Sequence, residues 1–138
     1  MTAPAQPKWM SISGWILTLL VTAAMIMSGV MKFTNDPQLL EGLKKMHLTQ
    51  EIVQKIGAVE IACAVLYLFP PTTVLGAMLL NGYLGGAVFV HVQQGDPIGN
   101  IVTPVVIGVL AWLGVFLREP RLRAIVPWRT KAPAATVS

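Results

Sequence analysis

One carboxylate stands apart in this chain. Glu60 is the only acid between Glu51 and Asp96, and it lies in a stretch, Ile56 to Val90, that is otherwise apolar enough for a protein core or a bilayer. By insertion scales a charge at the centre of a membrane helix costs roughly 2.5–3.5 kcal/mol, so such a group is kept with a partner. Two further ionisable residues border the apolar runs, Lys32 at the end of the first and His91 at the end of the middle one. An acid, an amine and an imidazole in apolar surroundings are the parts of a proton-transfer site or of a polar seat for a lipophilic ligand. Glu60 and His91 are the candidate proton-transfer pair, and Lys32, Ser28, Tyr67, Asn81 and Tyr83 the candidate ligand-binding residues. No metal site is expected. His47 and Glu51 have i, i+4 spacing, but a helix break at Leu48-Thr49 separates them.

The elements that must hold these residues follow from composition. Of the 138 residues 54% are hydrophobic and 12% charged, and the mean hydropathy is +0.66, values of a membrane protein. Uncharged runs at Trp9 to Met31, Ile61 to Val90 and Pro97 to Leu117 each reach the ~20 residues that cross ~30 Å of hydrocarbon as helix. Pro70-Pro71 divides the middle run, because proline lacks the donor and clashes with the preceding turn. The expected fold is therefore all-α: a four-helix transmembrane bundle with spans at about 11–32, 52–69, 73–92 and 98–117. Asp36 as cap, Pro37 at the first position and Leu39, Leu40, Leu43 and Met46 on one face predict a short interfacial amphipathic helix over about 36–47. Thr49 is the expected cap of the second span, with Leu48 and Val53 as a hydrophobic staple.

Four spans put both termini on one side. Lys8, Arg118, Arg121, Arg123, Arg129 and Lys131 outnumber Lys32, Lys44, Lys45 and Lys55, which assigns the termini to the cytoplasm. Residues 1–10 are expected as a flexible tail and 119–138 as a basic cytoplasmic tail against anionic headgroups, with the stretch from Thr130 disordered. Trp9, Trp15, Trp112 and Trp128 are candidate interface anchors.

At 1.5 Å per residue Glu60 lies ~12 Å into its helix and His91 ~27 Å along its own, so with alternating directions both approach Lys32 in the outer leaflet. Helical phase agrees. Thr18, Thr22, Met25, Ser28 and Lys32 share a face, as do Gly57, Glu60, Ala64 and Tyr67, and Leu84, Ala87 and His91. Gln93, Gln94, Asp96 and Asn100 fall at the outer mouth. Gly82 to Gly86 forms a G-x-x-x-G, read as close helix packing within the chain, with contact between copies as the alternative.

Several classes are excluded. The single cysteine, Cys63, rules out an intrachain disulfide, a CxxC pair and a thiolate-bound iron–sulfur cluster. The formal charge of +4 comes with no aromatic interleaving or nucleic-acid motif, so no nucleic acid partner is expected. The first run is longer than a signal h-region and lacks a clear A-x-A site. P-loop, dinucleotide, H-E-x-x-H and G-x-S-x-G motifs are absent from the sequence.

Ser28-Gly29-Val30-Met31-Lys32-Phe33, Ile56-Gly57-Ala58-Val59-Glu60-Ile61, Leu68-Phe69-Pro70 and Gly85-Gly86-Ala87 through His91 together resemble the DoxX-like family of small four-helix membrane proteins, over roughly residues 12–117. The resemblance implies the four-span bundle and carries the family's Glu and Lys positions to Glu60 and Lys32. Some members are described as subunits of a thiosulfate:quinone oxidoreductase, others as partners of redox-stress proteins. Three readings stand. The first is an accessory membrane subunit with a lipophilic pocket, its ligand a quinone or similar molecule and its partner a membrane redox protein. The second is a small enzyme doing acid/base isomerisation, hydration or cyclisation on a hydrophobic substrate. The third is a structural protein whose polar residues lock helix packing.

Overall fold

Runs of apolar residues without a breaker become the long helices. In the computed structural model, which describes residues 5–126, α1 spans Lys8–Met31, α2 Pro37–Lys45, α3 Gln50–Leu68, α4 Thr73–Gln94, α5 Ile98–Arg118 and α6 Pro120–Arg123. No strand occurs among the described residues. The expectations placed on Trp128, Arg129, Lys131 and the stretch from Thr130 lie outside the described residues.

The helix ends have local causes. The Asp36 carboxylate accepts from the N–H groups of Gln38 and Leu39 at 2.8 and 3.3 Å, and Pro37 opens α2 where its missing donor does no harm. Thr49 Oγ1 accepts from Ile52 N at 3.3 Å and starts α3. α3 stops at Phe69, whose backbone is extended ahead of the 3₁₀ turn Pro70–Thr72. Gly95 takes the left-handed conformation, φ 69°, and closes α4, with Asp96 N donating to His91 O at 3.0 Å. α5 runs through Pro104, which leaves the carbonyl of Asn100 without its usual helical donor.

α1 packs against α3 and α5, and α4 packs against the same two, so the four long helices close a ring. The largest fully buried side chains are Tyr67, Met25, Leu80, Glu60, Val115 and Thr18. Ile12, Ile16, Leu19, Phe89, Val102 and Val109 face outward and are exposed. An apolar exterior of this kind fits lipid rather than water. Three helices are long and apolar enough to cross a membrane: Lys8–Met31, Pro70–Gln94 and Ile98–Arg118. α3 does not reach that standard, because Glu51, Lys55 and Glu60 fall within its 19 residues.

Small residues set the closest approaches. A side-chain carbon on Gly29 would meet Ile61 Cγ1 at 2.6 Å and Gly57 O at 3.1 Å, and one on Gly57 would meet Gly29 O at 2.8 Å. Gly76 is tighter still, its missing Cβ falling 2.2 Å from Tyr67 N. The G-x-x-x-G reading needs correction: Cβ atoms on Gly82, Gly85 and Gly86 would meet nothing within 4 Å. Close packing within the chain uses Gly29, Gly57 and Gly76 instead, because those glycines sit where α1 crosses α3 and α3 turns back along α4.

Candidate functional site

Glu60 is 1% exposed, on the face of α3 that also buries Gly57, Ala64 and Tyr67. Two donors reach its Oε2. Lys32 Nζ, just past the end of α1, lies at 2.5 Å, and the Tyr83 hydroxyl on α4 donates at 2.8 Å. Three helical segments thus meet on one oxygen. Lys32 Nζ also donates to Ser28 Oγ at 3.1 Å and Ser28 O at 3.3 Å, so all three ammonium protons have acceptors. Its charge stands 6.0 Å from the centroid of the Tyr83 ring. Gln50 Nε2 donates to Lys32 O at 3.3 Å and ties the start of α3 to the end of α1. A buried acid with a charged partner and a phenol donor is compensated as low-dielectric surroundings demand.

These groups form one wall of a cavity of about 800 Å³. Apolar residues dominate its lining: Met25 from α1, Leu39 and Leu43 from α2, Val53 and Ile56 from α3, Leu84 and Val90 from α4, Ile107 from α5. Its polar lining comprises Ser28, Lys32, Glu60, Tyr83 and, toward one end, His91, Gln94, Asn100 and Thr103. Gly82 and Gly86 line it as well, which accounts for the open space beside them. The volume and the sparse polar lining are those of a small-molecule site.

His91 lines the same cavity, but its bonded partner is Asp96, with Nδ1 to Oδ2 at 2.6 Å. No hydrogen bond joins it to Glu60 among the described residues. The sharp αL turn at Gly95 brings Asp96 back beneath the imidazole. In the neutral ring the carboxylate holds the Nδ1 proton, which makes Nε2 an acceptor.

Of the other candidates, Ser28 and Tyr83 join the Glu60 cluster, whereas Tyr67 and Asn81 do not. Tyr67 is fully buried elsewhere, its hydroxyl donating to Ala111 O at 2.9 Å. Asn81 Nδ2 donates to Ala77 O at 3.0 Å, and the side chain lines a separate groove of about 390 Å³ between α4 and α5 with Gly85, Val105 and Trp112.

A second polar cluster escaped the sequence reading. The Arg118 guanidinium lies 4.4 Å from the Trp15 ring centroid, donates to Tyr67 O at 2.9 Å and reaches Thr73 Oγ1, which itself donates to Tyr67 O at 2.5 Å. Arg123 donates to the carbonyls of Phe116 and Leu117 at 2.9 and 3.0 Å. Arg118 and Arg123, expected in the headgroups, therefore turn back onto helix-end carbonyls that lack intrahelical donors. For Arg123 the available signal was the unfilled C-terminus of α5 a few residues before it; for Arg118, whose acceptor Tyr67 O lies at the end of α3, no local signal existed.

No curated protein and no solved structure matches the chain. A family model does match, that of the DoxX-like family, over residues 16–114.

Proposed function

The chain belongs to the DoxX-like family, and from that premise we propose a four-span protein of the cell membrane that binds a small lipophilic molecule, a quinone or similar, in the Glu60 cavity. In this reading α1, α3, α4 and α5 are the spans, α2 lies at the interface and both termini are cytoplasmic. The protein acts as an accessory subunit beside a membrane redox partner, with self-association as a further option.

The carrying observation is a carboxylate 1% exposed in the wall of an otherwise apolar cavity of about 800 Å³. Packing alone calls for no such volume beside its most costly side chain. The span assignment of α3 is supported by its place between α1 and α4 and by Lys32, which offsets the Glu60 charge. Photo-crosslinking with an azido-benzoquinone in native membranes tests the reading: the expected adducts fall on peptides containing Ser28, Tyr83 or His91. Labelling confined to other peptides rejects it.

The pairing of His91 with Asp96 favours a second reading, acid/base chemistry on a hydrophobic substrate, because a carboxylate-held imidazole facing a cavity is equipped to move protons. A lipid-metabolite comparison of wild type with folded Glu60→Gln tests it, and an unchanged product profile rejects it.

A further inference from the structure

The donors and acceptors of the Glu60 wall of the cavity specify the head of its ligand. Lys32 has no free proton, since its three acceptors are Glu60 Oε2, Ser28 Oγ and Ser28 O. The Tyr83 proton is committed to the same Glu60 oxygen. Both bonds fall on Oε2, and Oε1 has no hydrogen-bond partner among the described residues, although the side chain is 2% exposed. Ser28 Oγ accepts from Lys32, and its own proton has no acceptor among the described residues. Ser28 Oγ and Glu60 Oε2 accept from one ammonium nitrogen, at 3.1 and 2.5 Å, so the serine hydroxyl and the carboxylate belong to the same part of the cavity wall.

We infer that the site is built for a hydroxyl, and that it selects hydroxyl-bearing lipophiles, such as a hydroquinone or an alkylphenol, over the matching carbonyl or ether compounds. A hydroxyl donates to Glu60 Oε1 while accepting from Ser28. A carbonyl satisfies Ser28 alone and sets a second acceptor against the carboxylate, and a site that accepts a hydroxyl proton discriminates strongly against a ligand without one. The amide donors of Gln94 and Asn100 are exposed at the mouth, where water satisfies them. This inference rests on the proposed cavity ligand and ranks its two forms: the hydroxyl-bearing, reduced form of a quinone couple binds more tightly, and the quinone itself remains a weaker ligand of the same cavity.

A redox-inert pair provides the test: 4-decylphenol and 4-decylanisole, alike except for the hydroxyl proton and a methyl group. Equilibrium binding to the full chain in nanodiscs is measured for wild type, Ser28→Ala, Glu60→Gln and the cavity-filling Gly82→Leu, which has open space for its side chain. Wild type is expected to bind the phenol at least about tenfold more tightly. Gly82→Leu abolishes binding of both compounds, and Ser28→Ala reduces the preference. Glu60→Gln, which presents amide protons to the cavity, removes the preference and improves binding of decyl-benzoquinone. Equal affinities in wild type that Gly82→Leu still abolishes overturn the hydroxyl inference while leaving the cavity reading intact. A preference that survives both Glu60→Gln and Ser28→Ala also overturns it. If no compound binds in a Gly82-sensitive way, both the cavity reading and the inference fall.

Discussion

The Lys32–Glu60 pair is asymmetric, and the asymmetry has a measurable sign. The Glu60 side chain is 2% exposed and that of Lys32 19%, so a stranded lysine can extend toward water while a stranded glutamate cannot. Lys32→Met is therefore expected to cost about 3 kcal/mol, the scale of a buried charge left unpaired, and Glu60→Gln clearly less. Adding Glu60→Gln to Lys32→Met should restore part of the loss, as a double-mutant cycle of thermal unfolding in detergent would record. Tyr83→Phe removes one bond to a charged acceptor and should cost about 1.5–3 kcal/mol in the same assay. Charge and depth alone made the Lys32–Glu60 contact legible in the sequence. Tyr83 stood there only as one of several candidate ligand-binding residues and not as a donor to Glu60, because its aim at Glu60 depends on how the Pro70–Thr72 turn sets α4 against α3. The His91–Asp96 bond was illegible for a related reason: it spans a helix end, where the chain turns at Gly95 and helical spacing no longer applies.

At the level of elements, the glycines sort into two kinds that look alike in the sequence. Gly57→Ala and Gly76→Ala push a carbon into neighbouring backbone and should each cost about 1–3 kcal/mol or more, with Gly76 the worse. Gly86→Ala meets nothing and should leave the unfolding midpoint unchanged or raised, a contrast read from one set of melting curves. Helix starts at Asp36 and Thr49 and the stop at Pro70 were readable because each depends on side chains within a few residues. Which glycines touch another helix depends on crossings between segments far apart in the chain, and a local pattern such as G-x-x-x-G does not carry that information. Arg118 draws on residues from α1, α3 and α4, namely Trp15, Tyr67 and Thr73. Arg118→Lys keeps the charge but loses the planar stack and the fork, so a lower melting temperature is expected despite the conservative change.

For the whole molecule, the polar side chains gather at two ends of the helix ring, with Glu60, Lys32, Tyr83 and His91 at one and Arg118, Tyr67 and Thr73 at the other. The proposed orientation puts the first cluster outside. Cys63 is 6% exposed, so a single added cysteine can report on sidedness against a quiet background. Asn100→Cys is expected to react with a membrane-impermeant maleimide on intact cells and Arg121→Cys only after lysis; the reverse pattern would invert the topology.

The three charges within α3 also bear on how the protein is made. Lys32 precedes Glu60 in the chain, so when α3 leaves the ribosome its counter-ion already waits at the end of α1. In the proposed four-span arrangement, a segment with three charges can then enter the bilayer as the partner of one already there. In a glycosylation-mapping assay, Lys32→Met should increase the share of chains in which α3 fails to insert. The ion pair of the mature site would thus have served first as an instruction for assembly.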